Sequence, residues 1–341
     1  MPPKKQTSKP ISLNEEQQAV VAAGTGFWKV LAGPGAGKSA CLVHRYLRLL
    51  QEGVDPSDIL ALSFTATAAK NLKDRVEAQA GKLSTIRKSG SATLHSLALA
   101  FVIEEREHLG YDIAEFPLAT ESSTGRLCAL ASKRFDANSR DLRAYLSLQK
   151  RSHISPSQAI KSAEGVLDAK QLKLALAYKH YEAGLRSEGL MDFDGLMYQM
   201  VEVMAKKPDV RPRWQYRFVM ADESQDNCQL DWSLLKLLSE KHGNLLCVGD
   251  PGQNIFSFRG ADADLFMEMD KLFSGTQTLF LGTNYRSSPE IVSFIQPYAA
   301  SQELAGKFRT QNASGPVPII QGFQTASQEC AWIVERIKET Q

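Results

Sequence analysis

Short, almost wholly apolar runs alternate along this chain with longer stretches whose apolar residues recur at helical spacing. "FWKVLA" (27–32), "DILALSF" (58–64), "YRFVMADE" (216–223) and "NLLCVGD" (244–250) are of the first kind. Continuous apolarity in a short run predicts strands buried on both faces. "KSACLVHRYLRLLQEG" (38–53) is of the second kind, with Leu42, Tyr46, Leu49 and Leu50 at helical spacing and a stop near Gly53. "ATAAKNLKDRVEAQA" (66–80) repeats it, and "LALAFVIEE" (97–105) follows the strand-into-turn "SATLHS". Ser12 with Glu15 three residues on predicts a capping box that opens the first helix. Near the end, "TQTLFLG" (276–282) and "VPIIQGF" (317–323) predict two more strands, each followed by a helix. The first of those helices begins "SSPEIVSFI", with Pro289 in its first turn.

Strand–helix alternation of this kind predicts an α/β fold, a parallel sheet with helices on both faces. Such sheets bind ligands beyond the carboxyl ends of their strands. The stretch from 99 to 190 breaks the pattern. It has few strand-like runs and reads as mostly helix, and between 126 and 190 it holds twelve Lys/Arg against six Asp/Glu. It predicts an inserted helical subdomain, with a basic face for nucleic acid as the functional alternative.

Composition adds bounds. The 341 residues exceed one typical domain, and 43% hydrophobic with 23% charged residues is ordinary for a globular chain. Net charge is +2, so overall charge does not select a polyanionic partner. The five cysteines are scattered, without a C-x-x-C pair, and read as buried free thiols in a reducing compartment. No apolar run is long enough for a membrane span. "MPPKKQTSKP" lacks the apolar core of a secretory signal and reads as a disordered basic tail.

Two segments carry chemistry. In "LAGPGAGKSA" (31–40), small residues at Gly33, Gly35, Ala36 and Gly37 let backbone N–H groups curl around phosphate oxygens, and the following helix adds its positive end. Lys38 supplies a point charge to the β- and γ-phosphates, and Ser39 a hydroxyl to Mg²⁺. The first position is Ala32 where the general pattern asks for Gly, which costs little at negative φ. "FVMADESQD" supplies a second strand ending in carboxylates: Asp222 for Mg²⁺ and Glu223 to orient and deprotonate an attacking water. ATP hydrolysis is the reaction class this pair predicts. After the next strand, Gln253 is placed to sense a γ-phosphate, and Phe256 and Phe258 lie two apart as candidate stacking platforms for bases.

Taken in order, the motifs resemble the UvrD/Rep family of superfamily I DNA helicases. "LNEEQQAV" resembles the family's Q motif, with Gln17 at the adenine edge, and "LAGPGAGKS" its P-loop, where Ala in the first position is normal. "LSFTATAA", "TLHS", "LMDFDGLM", "ADESQD", "VGDPGQNIFSFRGA" and "NYRSSPEI" resemble the motifs that follow, as do "LAGKFRT" and "ASQECAWIVERI". The resemblance implies a motor that moves 3′ to 5′ on single-stranded DNA, opens strands at single-strand/duplex junctions with ATP and Mg²⁺, and serves repair or replication. It implies a first RecA-like domain over 11–98 and 191–275, the helical insertion at 99–190, and an incomplete second RecA-like domain from 276 to 341, after a tail at 1–10. It implies that Lys38, Ser39, Asp222, Glu223 and Gln253 handle phosphate, metal and water. Arg286 reaches the γ-phosphate from the second domain, and Tyr285 stacks on adenine. Phe64, Thr65, His95, Phe256 and Phe258 line the DNA track, with Arg259 in support. Such a protein works at the nucleoid in a bacterium or in the nucleus of a eukaryote, without a membrane partner. Departures from the motifs are Ala40 for an adenine-stacking Arg, the missing Asn-Lys of "SFTATAA", Ser224 for an aromatic residue, Pro251-Gly252 for acidic residues, and Phe258 for Trp. Two alternatives share the motifs: a truncated nucleotide- and single-strand-binding module without motor activity, and the N-terminal part of a RecB/AddA-type helicase–nuclease.

Overall fold

The structure is a computed structural model that describes residues 12–80, 91–255, 260–299 and 308–340. The expected basic tail at 1–10 lies outside these residues, as do Phe256, Phe258 and Arg259. Six parallel strands form one sheet: β1 (Phe27–Ala32), β2 (Ile59–Leu62), β3 (Ser91–Ala92), β4 (Phe218–Ala221), β5 (Leu245–Gly249) and β6 (Gln277–Leu281). Their order is β3-β2-β4-β5-β1-β6. The apolar runs become strands because both faces are covered, and β2, β4 and β5 are buried at every position. One core packs Val30, Leu42, Tyr46, Ile59 and Met220 under α2 (Lys38–Gln51) and α3 (Ala66–Ala80). The other packs Leu31, Leu60, Phe101, Met200, Trp214 and Leu235 under α4 (Leu94–Glu104), α9 (Phe193–Lys206) and α10 (Gln229–Ser239).

Between these lie α5 (Glu121–Phe135), α6 (Ser139–Arg151), α7 (Pro156–Gly165) and α8 (Ala169–Ser187). They enclose a third core of their own, built on Leu127, Leu142, Leu146, Tyr178 and Tyr181. Residue 99 falls inside α4, whose Leu97 and Phe101 belong to the sheet's core.

Several sequence expectations are corrected. The first helix, α1 (Glu15–Ala22), is capped by Asn14 and Gln17, not by Ser12 and Glu15: Asn14 Oδ1 accepts from Gln17 N at 2.8 Å and Gln17 Oε1 from Asn14 N at 3.1 Å. Strand β6 pairs along its length with β1, so the first sheet continues past residue 276 to Leu281. The run "VPIIQGF" is not a strand. Val317, Ile319 and Ile320 are exposed, and no described strand lies beside them to take up their backbone hydrogen bonds. Of the five thiols, Cys330 is exposed and the other four are buried. A short parallel pair, β7 (Thr283–Asn284) with β8 (Arg309–Thr310), follows the main sheet, and α13 (Pro289–Ala299) and α14 (Ala326–Thr340) complete the chain. The short helices α11 (Ala263–Met267) and α12 (Met269–Leu272) lie between β5 and β6. No described helix is long and apolar enough to cross a membrane.

Candidate active site

Because all six strands run the same way, the segments that follow them gather at one edge of the sheet. The loop after β1 turns through left-handed backbone at Gly35 (φ 67°) and Gly37 (φ 83°), conformations a side chain would strain. Ala32 is still the last residue of β1 and is not among the positive-φ positions, which accounts for its tolerance there. Gly37 also leaves room for Gln17. A Cβ there would stand 2.7 Å from Gln17 Nε2, which donates to Ala36 O at 3.1 Å. The Q-motif helix is thereby tied to the loop.

Across the loop, β4 delivers the carboxylates. Ser39 Oγ donates to Asp222 Oδ2 at 3.1 Å, and Lys38 Nζ lies 3.6 Å from Glu223 Oε2. Glu223 has φ 51°, a left-handed conformation uncommon for a residue with a side chain. Such strain concentrates at functional positions. Burial, and after it the neighbouring Glu223 charge, pushes the Asp222 carboxyl up to about 6. Ser224, where the family pattern has an aromatic, is fully buried and donates to Ala221 O at 3.1 Å. Ser39 and Asp222 offer two hard oxygens side by side, the donor type Mg²⁺ takes together with phosphate oxygens and water. Among the described residues no three His, Cys, Asp or Glu side chains group as a metal cage. A cation here would draw its other ligands from nucleotide and solvent.

The chain beyond β6 returns to the same loop. Asn284 Nδ2 donates to Pro34 O at 2.8 Å, and Tyr285 N donates to Gly35 O at 3.0 Å. A Cβ on Gly35 would lie 2.8 Å from Arg286 Cβ, so Arg286 sits against the apex of the loop. Tyr285 is partly exposed and hydrogen-bonds Asn14, the cap of the helix that carries Gln17. Gln253 is not brought to Lys38 by any described contact. Its amide donates instead to the Asp250 carboxylate, itself raised by burial.

Beside the carboxylates a groove of about 630 Å³ opens over the ends of β2, β3 and β4. Phe64, Thr65 and His95 line it, as do Asp222 and Asp226. Thr65 caps α3 through Oγ1, accepting from Ala68 N at 3.2 Å. The His95 ring meets the edge of Phe193 at 5.8 Å. In the sequence Phe193 stands out only as part of "LMDFDGLM". Its exposure beside the groove, 58%, is what gives it interest. Also unforeseen were Glu16, which accepts from Gly282 N (3.0 Å) and Arg309 (2.8 Å), and Phe308, whose ring lies on Gly33.

At Lys150, one of the twelve cations between 126 and 190, the basic excess of the inserted helices is not a free cationic face. Lys150 is buried and bonds both oxygens of Asp192 at 2.7 Å and Glu182 at 2.6 Å. Arg151 pairs with Asp194 at 3.1 Å. Lys150 is therefore an internal clamp between the insertion and α9.

A phosphate loop facing a strand-end carboxylate pair at the carboxyl edge of a parallel sheet defines a P-loop nucleotide-binding protein. The family model described as "UvrD/REP helicase N-terminal domain" matches residues 13–274, and the chain belongs to that family. It is 27% identical over 345 residues to a probable DNA helicase II homolog of Mycoplasma capricolum, covering 96% of this chain and 46% of that protein. It is 28% identical over 354 residues to the ATP-dependent DNA helicase srs2 of Schizosaccharomyces pombe, covering 96% and 39%. It is 28% identical over 340 residues to the ATP-dependent DNA helicase PcrA of Staphylococcus epidermidis, covering 97% and 46%. The chain thus spans less than half the length of these curated relatives.

Proposed function

We propose that this chain is the ATP-binding and ATP-hydrolysing portion of a DNA helicase that translocates 3′ to 5′ on single-stranded DNA. One observation carries the reading: Lys38, Ser39, Asp222 and Glu223 converge around the loop while the adjoining groove presents Phe64, His95 and Phe193. Lys38 and the loop N–H groups bind the β- and γ-phosphates of ATP. Ser39 and Asp222 hold Mg²⁺, which offsets phosphate charge when bound. Glu223 orients the attacking water and takes its proton. Gln17 and Tyr285 border the base, and Arg286 approaches the phosphates from the segment that begins the second RecA-like unit. Aromatic rings in the groove give unstacked bases a surface on which to lie, which favours single strands and their junctions with duplex.

The test is ATP hydrolysis by this chain with and without single-stranded DNA, beside Lys38→Ala and Glu223→Gln. Turnover stimulated by DNA and lost in both variants supports the reading. ATP and DNA binding without turnover favours the nucleotide-dependent binding module instead.

A further inference from the structure

Gln225 hydrogen-bonds Glu223 of the nucleotide site on one side and Asp226 of the groove lining on the other. It is 2% exposed, and every polar group it carries beyond its N–H is engaged. Its Nε2 donates to Glu223 Oε2 at 3.1 Å and to Asp226 Oδ2 at 3.4 Å. Its Oε1 accepts from Asp250 N at 2.9 Å, and its backbone carbonyl from Asn254 Nδ2 at 2.7 Å. The packing is close enough that a Cβ on Gly249 would stand 2.7 Å from Oε1. The side chain cannot swing away without breaking the tie to β5.

Asp226 and Asn227, on the other side of Gln225, line the groove and are 8% and 6% exposed. Each has a buried atom without a hydrogen-bond partner among the described residues: Asp226 Oδ1, an acceptor, and Asn227 Nδ2, a donor. Buried polar atoms are seldom left unpaired without a reason, and an unmet ligand is one. A phosphate would be repelled by the carboxylate. An acceptor and a donor on consecutive residues of the groove lining are the two functions that the hydrogen-bonding edge of a splayed-out base requires.

We infer that Gln225 is a positioning residue that links occupation of the groove by a base edge to the orientation of Glu223. Its amide is divided between two carboxylates. A base donor that engages Asp226 weakens one claim on that amide and leaves it committed to Glu223, fixing the carboxylate that faces the attacking water. The inference rests on the helicase reading above and adds a specific route by which DNA stimulates hydrolysis.

The experiment compares kcat and KM for ATP at zero and at saturating oligothymidylate for the parent chain, Gln225→Ala and Asp226→Asn. The expected result is a DNA-saturated kcat lowered about tenfold or more in both variants, KM for ATP within about twofold of the parent, and a collapsed ratio of DNA-saturated to DNA-free kcat. Asp226→Asn preserves the side chain's shape, so it keeps the test open if Gln225→Ala folds poorly. A parent that DNA stimulates, with both folded variants stimulated by the same ratio, overturns the link and leaves the helicase reading standing. The link is equally overturned if kcat falls by the same factor with and without DNA, which would make Gln225 a static support. A parent that hydrolyses no ATP, or is indifferent to DNA, overturns the helicase reading and the link with it.

Discussion

Lys38 and Glu223 face each other at 3.6 Å across the phosphate loop, one at the start of α2 and the other just beyond β4. At that distance each partly satisfies the other's charge. Phosphate entering the loop competes with Glu223 for Lys38 and leaves the carboxylate to its Gln225 bond. The two substitutions should therefore separate binding from chemistry. Lys38→Ala should weaken equilibrium ATP binding and abolish measurable turnover. Glu223→Gln should leave ATP affinity close to the parent's while turnover falls by about 10²–10⁴-fold, the range for losing a general base. Equilibrium binding of a fluorescent ATP analogue, beside steady-state hydrolysis, checks both.

The first loop glycine is fixed from far along the chain. A Cβ on Gly33 would lie 1.9 Å from the ring of Phe308. Gly33→Ala must therefore displace that ring, at an overpacking cost of about 1–3 kcal/mol. Phe308→Ala removes the obstruction, so the double variant should be more stable than the sum of single effects allows, with a coupling of roughly 0.5–3 kcal/mol. Thermal melts of the four proteins check it. Additive shifts would separate the ring from the loop.

How much of this was legible in the sequence depends on chain distance. The strand–loop–helix around Lys38 and the acid pair after β4 are local patterns, set by buried strands and small residues, and the structure puts them where those patterns direct. The contacts of Asn284 with Pro34 and of Phe308 with Gly33 join residues 250 or more positions apart, and no periodicity encodes such a meeting. A tally of cations is blind to Asp192 and Glu182 closing around Lys150, one of the twelve it counts. "VPIIQGF" has the apolar content of a strand, but a strand also needs a neighbour, which composition does not supply. Gln225 lay in plain view inside "ADESQD"; the bond from Asp250 N that fixes its side chain appears only once β4 and β5 are side by side.

The Lys150 clamp has a direct consequence for stability. Breaking a buried pair from one side leaves an uncompensated charge, at a cost of roughly 3–5 kcal/mol. Lys150→Ala strands Asp192 and Glu182 together, and Asp192→Asn leaves Lys150 with Glu182 alone, so the first should be the more damaging. Both should lower the melting temperature. Neither should alter the salt dependence of single-strand binding in protein that remains folded, because the Lys150 charge is buried and already held by Asp192 and Glu182. A flatter slope of log affinity against log salt in Lys150→Ala would place the residue at the DNA interface.

Asp222 sets a pH dependence whose sign follows from its burial. Its carboxyl is pushed up to about 6, chiefly by burial and then by Glu223, so the folded protein retains a proton that the unfolded chain has already released. Stability from this group is present in full below the ordinary carboxylate range and is lost as pH rises through about 6. Above that, a buried ionised Asp222 opposes folding until a cation shares its charge. Asp222→Asn should therefore melt higher than the parent at pH 7.5 without divalent metal, and the gap should shrink toward pH 4.5. Mg²⁺ with ATP at pH 7.5 should reverse the order by stabilising the parent more than the variant, because ligand binding to the native state adds to its stability. Calorimetric melts across that pH range, with and without Mg²⁺ and ATP, decide it. A gap that does not change with pH would mean that Asp222 is already ionised and compensated in the unliganded protein, with Lys38 and Ser39 sufficient to hold its charge.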